Sequence, residues 1–156
     1  MNEKQKKLIG ISESNLPTDE ELMANISKYN LFDSKELTPQ GIFPAKFLCM
    51  KLPDGGWEGA DNAFFYFHFR IGMHDVIAGF LGSRKLSENS LSFHLFRILT
   101  GIRPSGYVTP ESMAAYRGVR AKIVVIPSEA KRQRKFYPRI TAVYPINVEV
   151  QTHARR

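Results

Sequence analysis

Apolar and polar positions divide the chain into short blocks whose period switches between that of a helix and that of a strand. Met1 to Asn15 is polar and aperiodic, which predicts a tail without fixed structure of its own. In TDEELMANISKYN, Leu22, Ile26 and Tyr29 recur on one side at helical spacing. Pro17 stands just outside this block, and Thr18 and Glu21 have the spacing of a capping box, so a helix is predicted from Thr18. A connector ending at Pro39 follows. From Gly41 the period shortens: GIFPAKFLCMK reads as a first strand contacted on both faces and stopped by Pro53-Asp54-Gly55-Gly56. Ala63 to Ile71 is the clearest strand, with Phe65, Phe67, Phe69 and Ile71 on one face and Phe64, Tyr66, His68 and Arg70 on the other. Gly72 to Asp75 predicts a hairpin turn into a third strand, VIAGFLG, whose Gly79 predicts a bulge or bend.

The period lengthens again between Ser87 and Thr100, where the spacing predicts a mostly buried helix stopped by Gly101 and Pro104. A helical turn begins at Pro110. Two more strands are expected, Val119 to Ile126 ending at Pro127, and Phe136 to Val150 broken by Pro138 and Pro145. Three strands, a helix and two strands make the order of a five-stranded Greek-key OB barrel, a mainly β fold with a helix between strands 3 and 4, here with an additional N-terminal helix. An α+β sandwich uses the same elements and stays open. The organisation expected is a tail at 1–15, a helix and connector at 16–40, the barrel at 41–150 and a short basic tail at 151–156.

Composition narrows the partner more than the chemistry. In 156 residues, 43% hydrophobic and 12% aromatic residues suffice for one core, and no apolar run approaches a membrane span. A soluble, cytoplasmic protein with no membrane partner is the expectation. Cys49 is the only cysteine, and four scattered histidines lack metal-ligand spacing, so no disulfide framework, metal or cofactor is expected. The net charge of +7 is unevenly placed: residues 1–96 carry −2, residues 97–156 carry +9. Its densest point is Lys131-Arg132-Gln133-Arg134-Lys135, followed by Tyr137 and Arg139. Such a cluster attracts polyanions at low salt, although a short basic run also serves as a plain solvated loop.

On an OB barrel, ligands lie across strands 2 and 3, between the loop joining strands 1 and 2 and the loop joining strands 4 and 5. The first of those loops holds Trp57, the only tryptophan, and the second holds the basic run. Single-stranded nucleic acid needs cations along its phosphates and flat rings beneath its bases. The candidate contacts are therefore Trp57, Phe64, Tyr66, His68, Arg70, Lys131, Arg132, Arg134, Lys135, Tyr137 and Arg139. Each has a structural alternative: Trp57 as a lid on the barrel mouth, Phe64 and Tyr66 as aromatics under the N-terminal helix, His68 as a sheet residue. Phosphate-loop, nucleophile-elbow, His-Glu-x-x-His and paired Cys-x-x-Cys motifs are absent, and Asp54, Glu58 and Asp61 read as turn residues. A non-catalytic binder is expected, with no catalytic residue.

The segments GIFPAKF, FFYFHFRIG, SFHLFRILTG and YRGVRAKIVV give residues 41–147 an arrangement that resembles the OB-fold single-stranded-DNA-binding proteins of bacteriophages and other mobile elements. The resemblance implies coating of single strands during replication, recombination or transfer. It implies stacking at Trp57, Phe64 and Tyr66 and phosphate contacts at Arg70, Lys131, Arg132, Arg134 and Lys135. The chain departs from the replicative bacterial relatives in ending His153-Ala154-Arg155-Arg156 rather than in an acidic tail. RNA as the ligand, a homo-oligomer formed through an exposed final strand, and an OB-fold subunit for protein interaction or assembly are the competing expectations.

Overall fold

The computed structural model describes residues 16–51, 64–103 and 106–149. The expected tails, Trp57 and the Asp54, Glu58 and Asp61 group lie outside the described residues. Two short helices come first, α1 (Asp19–Ala24) and α2 (Ile26–Asn30), then β1 (Gly41–Lys51), β2 (Phe64–Ile71) and β3 (Ile77–Ser83). Helices α3 (Leu91–Thr100) and α4 (Pro110–Ala114) separate these strands from β4 (Arg120–Ala130) and β5 (Lys135–Pro145). The sheet closes on itself in the order β1-β2-β3-β5-β4, with β4 returning to β1 through Gly41↔Val125 to Lys46↔Arg120. All neighbours are antiparallel except β3 and β5, which meet in parallel at one pair, Gly79↔Arg139. The protein is thus mainly β, a five-stranded sheet closed into a ring with helices between strands.

Alternation along the strands fills the ring. Phe47, Phe67 and Phe69 are fully buried, Phe47 meets Phe69 edge to face at 5.4 Å, and Phe67 stacks on Phe80 at 5.0 Å. Leu95 and Leu99 of α3 enter the same core. Ser90 caps the first turn of α3, and Gly101 ends it in the left-handed conformation (φ 77°) that a residue with a Cβ rarely adopts.

Several elements differ from their sequence expectation, each for a visible reason. The first helix divides at Asn25, whose φ of −130° and ψ of 47° are not helical, although the Thr18/Glu21 capping box forms as expected. The α3 helix begins at Leu91 rather than Ser87. Strand β4 does not stop at Pro127, because Pro127 lies opposite Pro138 and the two missing N–H groups fall in one cross-strand pair. Strand β5 ends at Pro145, short of Val150. Gly79 makes no bulge: the β2–β3 register runs unbroken from Phe64↔Ser83 to Arg70↔Ile77. The register shifts instead between Phe47 and Cys49 and between Val124 and Val125. The first shift leaves Leu48 without a partner in β2, and Arg117 Nε donates to its carbonyl at 2.9 Å.

That bulge explains a second core. Leu48 packs on the outside of the ring with Leu22 of α1 and Ile77 of β3, joined by Met23, Ile26, Tyr29 and Cys49. The N-terminal segment is therefore fastened across the outer face of β1, β2 and β3. Asp19 anchors it, with Oδ1 2.9 Å from Arg70 and Oδ2 2.8 Å from Lys46. Burial raises the Asp19 pKa, but hydrogen bonds from Lys46 and Arg70 outweigh it and hold the carboxyl below the usual value.

Candidate nucleic-acid interface

The outer face of β2, β3 and β5 is divided by that segment into a covered part and an open part. His68 and Arg70 lie in the covered part, 5% and 7% exposed. Their expected role as direct contacts is corrected here: strand alternation placed them outside the ring, but α1 and α2 pack over that outside. Arg70 is committed to Asp19 and, through Nε, to the carbonyl of His74 at 2.8 Å. Burial, reinforced by nearby Lys51, pushes His68 down to about 4. Its Nδ1 lies 4.0 Å from Cys49 Sγ, and burial pushes that thiol up. Both groups are driven toward their neutral forms, the opposite of a thiolate–imidazolium nucleophile.

The imidazole has a consequence for stability. Between its ordinary value of 6.5 and about 4, the unfolded chain takes up a proton that folded His68 refuses. Stability is full above pH 6.5 and falls as the pH drops through that window, whereas Asp19 and Asp33, held below 3.8, act only at lower pH. His68→Gln is expected to flatten the dependence of melting temperature on pH across this window; an unchanged slope contradicts the assignment.

The open part starts where the cover stops. Phe64 and Leu81 are 37% and 50% exposed, and Leu81 lies opposite Tyr66 in the ladder. The half-buried Tyr66 ring stacks on His68, centroids 5.8 Å apart and planes at 28°. His68 is opposite Gly79, where a Cβ would approach His68 Cδ2 to 3.0 Å, so the missing side chain lets the imidazole lie close over β3. Across Gly79 stands Arg139, its Nε donating to Ser128 Oγ at 2.7 Å. Tyr137 is half-buried on the same strand. Burial chiefly, and then the neighbouring Tyr66, raises its hydroxyl pKa against the pull of Arg139. Tyr66, Tyr137 and Arg139, from two strands that are not adjacent, thus share one surface.

Strand β5 carries that surface to the basic run. Lys135, Tyr137 and Arg139 alternate onto one face, and residues 131–134 form the turn of the β4–β5 hairpin. Arg134 holds φ 54°, a conformation glycine normally supplies. Lys131, Arg132 and Arg134 are exposed. Lys135 is not equivalent to them, because its ammonium lies 2.6 Å from Asp33. The same connector pairs with β5 next door, Phe32 and Phe136 exchanging N–H···O bonds of 2.7 and 2.8 Å. The hydrogen bond and charge of Lys135 hold the Asp33 carboxyl below its ordinary value.

Of the expected residues, Tyr66, Tyr137 and Arg139 share one surface, Lys131, Arg132 and Arg134 stand in the turn at the end of the same strand β5, Phe64 lies at the outer end of β2 and Lys135 is tied to the cover. Leu81 was missed by sequence reading, although its place in the alternation of β3 was available to find it. Asp19 and Asp33 were missed for a different reason, since their partners lie 51 and 102 residues away along the chain. Among the described residues no group of three His, Cys, Asp or Glu side chains converges as a metal site would require, and no helix is long and apolar enough to cross a membrane. Comparison with known proteins finds no matching family model, no matching curated protein and no matching solved structure, so function must be read from the residues themselves.

Proposed function

We propose that this protein is a non-catalytic, sequence-tolerant binder of single-stranded DNA built on a five-stranded Greek-key OB barrel, acting in replication, recombination or transfer of a phage or mobile element. The strand order β1-β2-β3-β5-β4, the single parallel contact between β3 and β5 and the position of α3 between β3 and β4 support the fold. The observation that carries the function is the continuous path from the exposed hairpin cations through Tyr137 and Arg139 to Tyr66. Phosphates follow the cations and bases stack on the rings, an arrangement indifferent to base identity because every base has a π-face.

Anisotropy of a labelled oligothymidylate, titrated at several salt concentrations, tests the proposal. Binding at about 50 mM salt that weakens steeply as salt rises is expected, and its absence removes the proposal. Tyr66→Ala is expected to cost about 1–3 kcal/mol of binding, the worth of one base stack. An RNA of matched sequence separates the alternatives: tighter binding to RNA points to recognition of the 2′-hydroxyl.

A further inference from the structure

The far end of β5 is built differently from the end that carries Tyr137. Its edge toward β4 is paired from Ala130↔Lys135 to Ala121↔Pro145 except at Thr141. Its other edge meets β3 only at Gly79↔Arg139. Just past that contact the β4–β5 register shifts: Val124 pairs with Ala142 and Val125 with Ile140, so Thr141 is the extra residue. A bulge bends a strand and increases its twist, and β5 pairs with β3 nowhere beyond Arg139. Among the described residues no strand pairs with that edge beyond Ile140.

A groove of about 860 Å3 opens there between β5 and α3. Its strand wall is five consecutive residues, Thr141 to Pro145. Successive side chains of a strand point to opposite faces, so a wall made by all of them is the backbone edge itself. The helix and the turn that follows it supply His94, Arg97 and Arg103, together with Ile98 and Ile102, and none of the described residues lining the groove is acidic. Ile102 and Tyr144 are 62% and 37% exposed. Arg103 pairs with Glu88, and both members of that ion pair are well exposed.

We propose that this groove docks an extended peptide segment of a partner protein, acidic and apolar side chains alternating, which adds to β5 as a further strand. The edge supplies backbone hydrogen bonds, Arg97 meets the carboxylates together with Arg103, which exchanges its exposed and therefore weak pair with Glu88 for them, and Ile102 and Tyr144 take the apolar side chains. Two other occupants fit less well. A single strand of DNA needs several stacking surfaces, and among the described residues the groove offers only the Tyr144 ring and the His94 imidazole, on opposite walls. A second copy of this chain, paired edge to edge about a two-fold axis, brings His94, Arg97 and Arg103 of both copies together and sets like charges against each other. The proposal does not depend on the DNA-binding reading, because the groove shares no residue with the hairpin path.

The test uses fluorescein-labelled peptides of about seven residues in which Asp or Glu alternates with Ile, Phe or Val. Anisotropy at low salt is expected to show binding to the full chain, and a lysine-substituted control is expected not to bind. Arg97→Glu with Arg103→Glu is expected to weaken the peptide by about tenfold or more while leaving the thermal melt and oligothymidylate affinity in place. Methylating alternate amide nitrogens of the best peptide keeps every side chain but removes the donors to the strand edge, and is expected to cost about tenfold or more. The proposal is overturned if no peptide of the panel binds or if N-methylation changes nothing. It is equally overturned if oligothymidylate competes the peptide away, or if sedimentation shows the chain self-associating through Arg97 and Arg103.

Discussion

Substituting Lys131→Ala, Arg132→Ala and Arg134→Gly together is expected to weaken oligothymidylate binding about hundredfold at about 0.1 M salt, with the fold intact. Each phosphate neutralised on a single strand contributes about −0.7 to the slope of log affinity against log salt, so three lost cations flatten that slope by about 2. Glycine is the right replacement at Arg134, because φ is 54° there and glycine holds it without strain. All three side chains project from a turn into solvent, so their loss should move the melting temperature little. A variant that keeps the parental slope would show that the hairpin does not follow the phosphates. Lys135 is left out deliberately: its ion pair with Asp33 fastens the cover, and its replacement mixes binding with stability.

Leu22→Ala is expected to cost about 2–5 kcal/mol of stability, read as a lower urea midpoint at constant slope. Leu22 is fully buried, yet it lies outside the ring, between Leu48 and Ile77. A loss of that size means the N-terminal segment unfolds with the sheet as one unit. An unchanged midpoint, with faster amide exchange confined to residues 16–40, would mean that the segment opens by itself. The distinction matters for function, because opening would uncover His68 and free Arg70 and Lys46 from Asp19.

Much of the fold was legible in the chain. The strict alternation of Phe65, Phe67 and Phe69 fixed a strand and its inner face, since a slip of one residue would turn all three outward. Thr18, Glu21, Ser90 and Gly101 marked helix ends through local hydrogen bonds and local backbone geometry. Pro127 misled, because the cost of a missing N–H depends on what stands across the ladder, and another proline stands there. Gly79 misled in part: it read as a bulge, yet the β2–β3 register runs unbroken there and the missing side chain gives clearance to the His68 ring on the next strand.

Of the candidate site, the sequence by itself determined the ingredients: a cationic run next to Tyr137, an aromatic strand and the side of that strand on which Tyr66 lies. These follow from composition and from the two-residue period, both local properties. Only the tertiary structure decided which of them are open to a ligand. Closing the ring brought β5 against β3 and so set Tyr137 and Arg139 beside Tyr66, while the bulge at Leu48 gave α1 and α2 an apolar seat over His68 and Arg70. Accessibility depends on what packs on a face from far along the chain, and the pairings that settle it, Asp19 with Arg70 and Asp33 with Lys135, leave no periodic trace in either partner's own segment.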